Sequence, residues 1–156
     1  MSRAPTALQG EATVPNGPDE NRFDYHGALT VVETDSGEIV FIHPPGGPTE
    51  GPASLPSNPC RPGEAPEDAA VRMVREMTGL DVAIVREFVT FIQEGTPTGV
   101  MCAHGYLARV TGGSLLDDGP EGPARSYPLD ALPAIIPIRA ANQRTLDAYL
   151  AQRDQG

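Results

Sequence analysis

The chain contains no lysine and no tryptophan, and only two of its 156 residues are cysteines. Without lysine, Schiff-base chemistry and a P-loop lysine are excluded. A phosphate would have to be bound by arginine, backbone amides or a bridging metal ion. Cys60 and Cys102 are too few for a disulfide framework and lack the spacing of a zinc site. Both are interpreted as structural thiols, although Cys60 beside Arg61 leaves an activated nucleophile as an alternative.

The chain also lacks an excess of basic residues and any long apolar run. Its formal net charge is −10 and its pI is near 4.6, which argues against a nucleic-acid polymer or an anionic membrane as partner. No segment suits a transmembrane helix, and the first residues lack the apolar core of a secretory signal. We therefore expect a cytoplasmic protein, long enough for one compact domain.

The N-terminal part differs in composition from the rest. Residues 1–20 are rich in Pro, Gly, Ala and Thr without a periodic pattern, which predicts a flexible arm ahead of a single domain over 21–156. Two β-branched runs, 28–32 and 38–43, are joined by the turn at 35–37. They predict a β-hairpin at the start of the domain.

The clearest helix is predicted over residues 66–78, after a Pro/Gly-rich loop at 44–62. Pro66 suits the first helical position, and Gly79 supplies the stop. An apolar stripe at helical spacing is formed by Ala70, Met73, Val74 and Met77.

The second half of the domain repeats the order of strands followed by a helix. Strands are predicted at 82–93 and 100–110, then an acidic loop at 117–123 and a closing helix at 138–152. This order predicts an α/β fold, with a mixed sheet and helices packed against it.

The strongest pattern in the sequence runs from Leu55 to Leu80. It resembles the Nudix box, G-x5-E-x7-R-E-U-x-E-E-x-G-U, where U is an aliphatic residue. The positions that match without a gap are Glu64, Arg72, Val74, Glu76, Gly79 and Leu80. The resemblance implies a Nudix-type α/β/α sandwich with a mixed β-sheet, and hydrolysis of a nucleoside diphosphate linked to another group.

Three departures from the box stand out, and two of them fall on positions that hold metal. Asn58 replaces the loop glycine, and Met73 and Met77 replace two glutamates. In the family those carboxylates bind Mg²⁺ or Mn²⁺, whereas a thioether is a poor ligand for a hard cation. Positions 73, 76 and 77 are expected on one helix face, with Glu76 as the remaining carboxylate and Glu64 approaching from the loop. These two are the candidate metal ligands and catalytic residues, holding one ion weakly or not at all.

Other candidates lie outside the box match. Glu121, with Asp117 and Asp118, sits in a late loop where family members often place a further acid, and a solvated loop is the alternative. His43 and His104 could act as acids or bases near neutral pH, with a structural histidine as the alternative.

Four residues are candidates for substrate binding: Arg61, Arg72, His43 and Arg125. For Arg72 the preferred interpretation is structural, with its guanidinium tying Glu64 to the helix. For Arg125 a surface ion pair is the alternative, as it is for Arg139.

Three functions remain open. The first is a divergent Nudix hydrolase that acts on a nucleoside-diphosphate-linked or related phosphorylated small molecule with a weakened Mg²⁺ or Mn²⁺ site. The second is an inactive Nudix-fold protein that binds such a ligand, and the third is a Nudix-fold enzyme of altered chemistry. The resemblance is also compatible with a homodimer.

Overall fold

The computed structural model describes residues 23–48 and 50–155, so the predicted arm lies outside the described residues. These residues form two α-helices, a short 3₁₀-helix (Leu129–Ala131) and six strands. The strands are β1 (Tyr25–Glu33), β2 (Ile39–Ile42), β3 (Ser57–Pro59), β4 (Leu80–Thr96), β5 (Gly99–Gly113) and β6 (Ala124–Tyr127), and the α-helices are α1 (Pro66–Thr78) and α2 (Ala140–Gln155). Within the described chain, no helix is long and apolar enough to cross a membrane.

The six strands form one mixed sheet. Its order is β4-β5-β1-β2-β6, and β3 pairs with β1 beside that path. β1 and β5 run parallel, from Tyr25 opposite Met101 to Glu33 opposite Arg109, and the other pairs are antiparallel. The predicted mixed sheet is confirmed.

The two helices cover opposite faces of the sheet. Neighbouring residues of β1 point to opposite sides, and they pack against different helices. Leu29 packs in one buried cluster with Tyr149 of α2. Ala28, the preceding residue, packs in another with Met73 of α1. The predicted α/β/α arrangement follows from this alternation and is confirmed.

Helix α1 has the predicted bounds because local signals set both ends. Pro66 occupies the first turn, and Gly79 ends the helix in the left-handed region with φ of 84°. The Gly79 amide donates to the Arg75 carbonyl at 3.0 Å, and β4 begins at the next residue. The glycine therefore redirects the chain from helix to strand without a connecting loop.

Other elements differ from the prediction in length or existence. The β4-β5 hairpin is longer than predicted, and α2 begins at residue 140 rather than 138. The strands β3 and β6 were not predicted. β3 contains Pro59 and β6 is short and polar, so neither has the β-branched alternation that marks a strand. Their pairing with β1 and β2 comes from tertiary contacts.

Gly79→Ala should lower the free energy of unfolding by about 3 kcal/mol or more. Left-handed strain adds about 1–2 kcal/mol, and the new Cβ would overlap the Ser114 carbonyl oxygen. Gly37→Ala is the matched control, because Gly37 has φ of 85° with open space around it. Its free energy of unfolding should fall only by about 1–2 kcal/mol of left-handed strain. Denaturant unfolding of both variants measures the difference, and equal losses would contradict the proposed overlap.

Candidate active site

The loop ahead of α1 is fixed to the centre of the sheet. β3 pairs with β1, and the Cys60 amide then donates to the His26 carbonyl at 2.9 Å. A turn follows, in which the Glu64 amide donates to the Arg61 carbonyl at 3.0 Å. The carboxylate of Glu64 is thereby held beside the first turns of α1.

Glu64 and Arg72 form a bidentate ion pair. The Arg72 Nε donates to Glu64 Oε2 at 2.7 Å, and Nη2 donates to Oε1 at 2.8 Å. Their side chains are only 16% and 19% exposed. The hydrogen bonds from Arg72 lower the pKa of Glu64 to about 2, and the Arg61 amide assists. Arg72 thus ties the loop to the helix, as the structural interpretation expected.

Glu76 belongs to the same network. It accepts a hydrogen bond from Arg72 Nη1 at 3.0 Å, and Arg61 Nη2 lies 3.6 Å from its other oxygen. The Glu76 side chain is 50% exposed and that of Arg61 is 64% exposed. The structure therefore brings together Arg61, Glu64, Arg72 and Glu76, and their formal charges cancel.

Met73 and Met77 lie in the core, where they are 0% and 7% exposed. They pack with Ala28 and Tyr106 in the buried cluster beneath α1. The expectation that position 76 shares their face is wrong in this respect, since Glu76 lies on the exposed side. On the helix, position 76 is rotated by about 60° from position 73 and by about 100° from position 77, so it lies at the solvent edge of the face on which the two methionines point at the sheet.

His43 and Arg125 form a second group near the end of β2. The ring of His43 is fully buried and its Nε2 is hydrogen-bonded to the Tyr127 hydroxyl. Burial is the main cause that lowers the pKa of His43, and the charge of Arg125 acts in the same direction. The guanidinium of Arg125 contacts Asp117 at 3.1 Å. Arg125 therefore forms an ion pair, which was the alternative to a role in substrate binding.

The loop that carries Glu121 packs between the backbone of His43 and the C-terminal end of α1. The Gly122 amide donates to the Gly119 carbonyl at 3.0 Å, which leaves Glu121 exposed at the tip of a turn. A Cβ on Gly119 would lie 2.9 Å from the Met77 carbonyl oxygen, and one on Gly122 would overlap the His43 carbonyl oxygen. The acidic loop therefore reaches the C-terminal end of α1, next to Met77.

Sequence reasoning missed one potential ligand, His26. Its ring lies 2.9 Å from the ring of His104, which was considered only as an acid or base. Cys102 lies beside both, although it was interpreted as a structural thiol. Cys102 and His104 are two residues apart on a predicted strand, so the sequence indicates that both point to the same face. The approach of His26 depends on the register between β1 and β5, which the sequence does not show.

A family model settles which family this arrangement represents. The model of the NUDIX domain matches residues 24–149 of the chain. The chain belongs to the Nudix family. No curated protein sequence matches this Nudix domain.

Solved structures support the same fold. A NUDIX hydrolase from Nitrosomonas europaea is 18% identical with a TM-score of 0.61, over 82% of this chain and 89% of that one. An ADP-ribose pyrophosphatase from Streptococcus suis is 19% identical with a TM-score of 0.60, over 83% and 92%. A UDP-X diphosphatase is 15% identical with a TM-score of 0.63, over 88% and 68%. At these identities the likeness establishes the Nudix fold alone.

Glu64→Gln should remove part of the acid sensitivity of the fold. The folded chain keeps Glu64 ionised down to pH about 2, whereas an unperturbed glutamate has a pKa of 4.5. The pair therefore stabilises the fold above pH 4.5, and this stability is lost as the pH falls towards 2. The variant should be about 2 kcal/mol less stable at neutral pH and should lack this slope.

Arg72→Gln removes the donors of the same pair and should flatten the same part of the profile. Denaturant unfolding at several pH values measures the free energy of unfolding for all three proteins. If both variants keep the parent's slope in this window, the pair is not its source.

Met73→Glu combined with Met77→Glu should destabilise the fold by about 2 kcal/mol or more per site in the presence of chelator, because each change buries a carboxylate. The matched control is Met73→Leu with Met77→Leu, which keeps the positions apolar and should cost less than about 1.5 kcal/mol per site. Thermal and denaturant unfolding compare the two double variants. A glutamate variant as stable as the leucine variant would mean that these side chains face water.

Proposed function

We propose that this Nudix-family protein binds a nucleoside-diphosphate-linked or related phosphorylated small molecule without a magnesium cluster on α1. The observation that carries the proposal is the burial of Met73 and Met77 at two positions where the family has metal-binding glutamates. Mg²⁺ requires oxygen ligands in near-octahedral geometry, and thioether sulfur does not replace them. The donor set therefore does not fit a cluster of hard cations.

The two remaining carboxylates support the same proposal. Glu64 is engaged by Arg72 through two hydrogen bonds, and Glu76 lies between Arg72 and Arg61. A cation that took both carboxylates would compete with Arg72 for their oxygens, and displacing Arg72 would leave its guanidinium without these partners. That rearrangement opposes metal binding, since breaking a partly buried charged hydrogen bond costs about 1.5–3 kcal/mol.

The ligand class is inferred from the fold and from the available cations. Two structural neighbours are described as a UDP-X diphosphatase and an ADP-ribose pyrophosphatase. In a chain without lysine, arginine is the side chain that recognises a diphosphate. Arg61 is best suited to this role, because it is exposed and its contact with Glu76 is long, at 3.6 Å. Such exposed pairs contribute little energy and exchange readily for a phosphate.

The second candidate is the divergent hydrolase, with one Mg²⁺ or Mn²⁺ at Glu76 and Glu64 and with Glu121 as a further acid. Two observations favour it. Glu76 is half exposed, and the loop of Glu121 packs against the end of α1 beside Met77. Metal-dependent turnover separates this candidate from the binding protein.

The decisive experiment is a screen of nucleotide sugars and dinucleotides with Mg²⁺, with Mn²⁺ and with chelator. Thermal unfolding reports binding, and product analysis reports hydrolysis. We expect at least one nucleoside-diphosphate-linked compound to raise the melting temperature equally with metal and with chelator, without turnover. Metal-dependent turnover that is lost in Glu76→Gln would instead establish the hydrolase.

Arg61→Gln should weaken binding of the compound identified in that screen by about tenfold or more, because one charged hydrogen bond is lost. Arg109→Gln is the matched control, since Arg109 is also exposed but lies on β5 with Glu33 as its partner at 3.8 Å. Isothermal titration measures both dissociation constants. An equal effect of the two changes, or none, would contradict the role of Arg61.

A further inference from the structure

Three side chains with metal-binding atoms converge on the face of the sheet that α1 covers. They are His26 of β1 and Cys102 and His104 of β5, and one ligand atom of each lies within 4.8 Å of the others. His26 Nδ1 is 2.9 Å from His104 Nε2. Cys102 Sγ is 3.6 Å from the same nitrogen. The group is separate from the carboxylates of the Nudix box.

The backbone ladder holds these residues together. β1 and β5 are parallel, and His26 is the register partner of Cys102. Cys102 and His104 are two residues apart on β5, so both point to the same face. Because the ligands stand on paired strands at the centre of the sheet, their positions are fixed more precisely than ligands on loops would be.

A carboxylate orients one of the imidazoles. His104 Nδ1 lies 2.8 Å from Glu87 Oε2, and the Thr90 hydroxyl donates to the same oxygen. A hydrogen bond from Nδ1–H to a carboxylate fixes the tautomer that leaves Nε2 as the acceptor. In His104 that nitrogen faces His26 and Cys102, which is the arrangement that supports a metal-ligating histidine.

We propose that His26, Cys102 and His104 form a binding site for Zn²⁺, with Glu87 orienting His104 and with a fourth coordination position open to water or a ligand. Imidazole and thiolate suit zinc, whereas Mg²⁺ and Ca²⁺ prefer oxygen. This inference goes beyond the proposed function and does not depend on it.

Two of the three separations are close to those that a zinc ion requires, and the third, from His26 to Cys102, is within 4.8 Å. Zinc bonds of about 2.0–2.3 Å place neighbouring ligand atoms about 3.3–3.8 Å apart in a tetrahedron. The separation of 3.6 Å between Cys102 and His104 already lies in that range. The imidazole nitrogens at 2.9 Å must move apart by a few tenths of an ångström to hold the ion.

The proposed zinc site adjoins α1. The ring of Tyr106 stacks on His104, with centroids 6.4 Å apart at 18°. Tyr106 also packs with Met73 and Met77 in the core. On the other side, the His26 carbonyl accepts the Cys60 amide at the start of the loop that carries Glu64. An ion here would lie on the same sheet face as α1, where its open position could meet a ligand.

The test uses the full chain, prepared without a polyhistidine tag. Zinc affinity and stoichiometry are measured by competition with a chromogenic chelator, and Co²⁺ replaces zinc as the optical probe. We expect one ion per chain and a thiolate-to-cobalt charge-transfer band. Cys102→Ser should abolish the band and weaken zinc binding at least tenfold, whereas Cys60→Ser, the other thiol, should preserve both.

Two further variants keep the test decisive if Cys102→Ser fails to fold, since Cys102 is buried. His26→Gln removes an exposed ligand and should also weaken zinc binding at least tenfold. Glu87→Gln loses the orienting carboxylate and should cost about 10- to 100-fold in zinc affinity. The proposal is overturned if the parent gives no thiolate-to-cobalt band, or if zinc affinity is unchanged in His26→Gln.

Discussion

The packing of α1 against the mixed sheet is the constraint on which the rest of the structure depends. One side of the helix fills the space above Ala28 and Tyr106, and it does so with Met73 and Met77. Glutamates at these two positions would bring charge into this interface, where buried carboxylates need a cation or hydrogen-bond partners. Methionines remove that requirement and make the same positions part of the core.

Other residues of the Nudix box serve the fold in a different way. Glu64 and Arg72 join the loop to the helix through two short hydrogen bonds, and Gly79 lets the chain enter β4 directly. These positions are retained in register although two of the glutamates are replaced. Carboxylates are thus fewer on α1 than in the Nudix box, while two imidazoles and a thiol lie close together on the neighbouring strands. This difference is the basis for proposing a softer metal ion on this face of the sheet.

Sequence could predict the elements whose signals are local. The bounds of α1 follow from Pro66, Gly79 and the apolar stripe, and the eight-residue spacing of Glu64 and Arg72 anticipates their ion pair. β3 and β6 were missed because their residues have no strand pattern of their own and pair only through the sheet. His26 approaches His104 across 78 positions of the chain, and only the parallel register of β1 with β5 produces that contact. The side of α1 that Glu76 occupies likewise depends on how the helix rolls against the sheet.

We propose that α1 no longer offers a site for a hard cation, and calorimetric titration of the native chain with Mg²⁺ is the measurement that decides this. Mg²⁺ is preferable to Mn²⁺, because imidazole and thiol ligands also accept softer ions. We expect no binding tighter than about 1 mM, which corresponds to about −4 kcal/mol. A dissociation constant near 1 μM, or about −8 kcal/mol, that is lost in Glu76→Gln would contradict it.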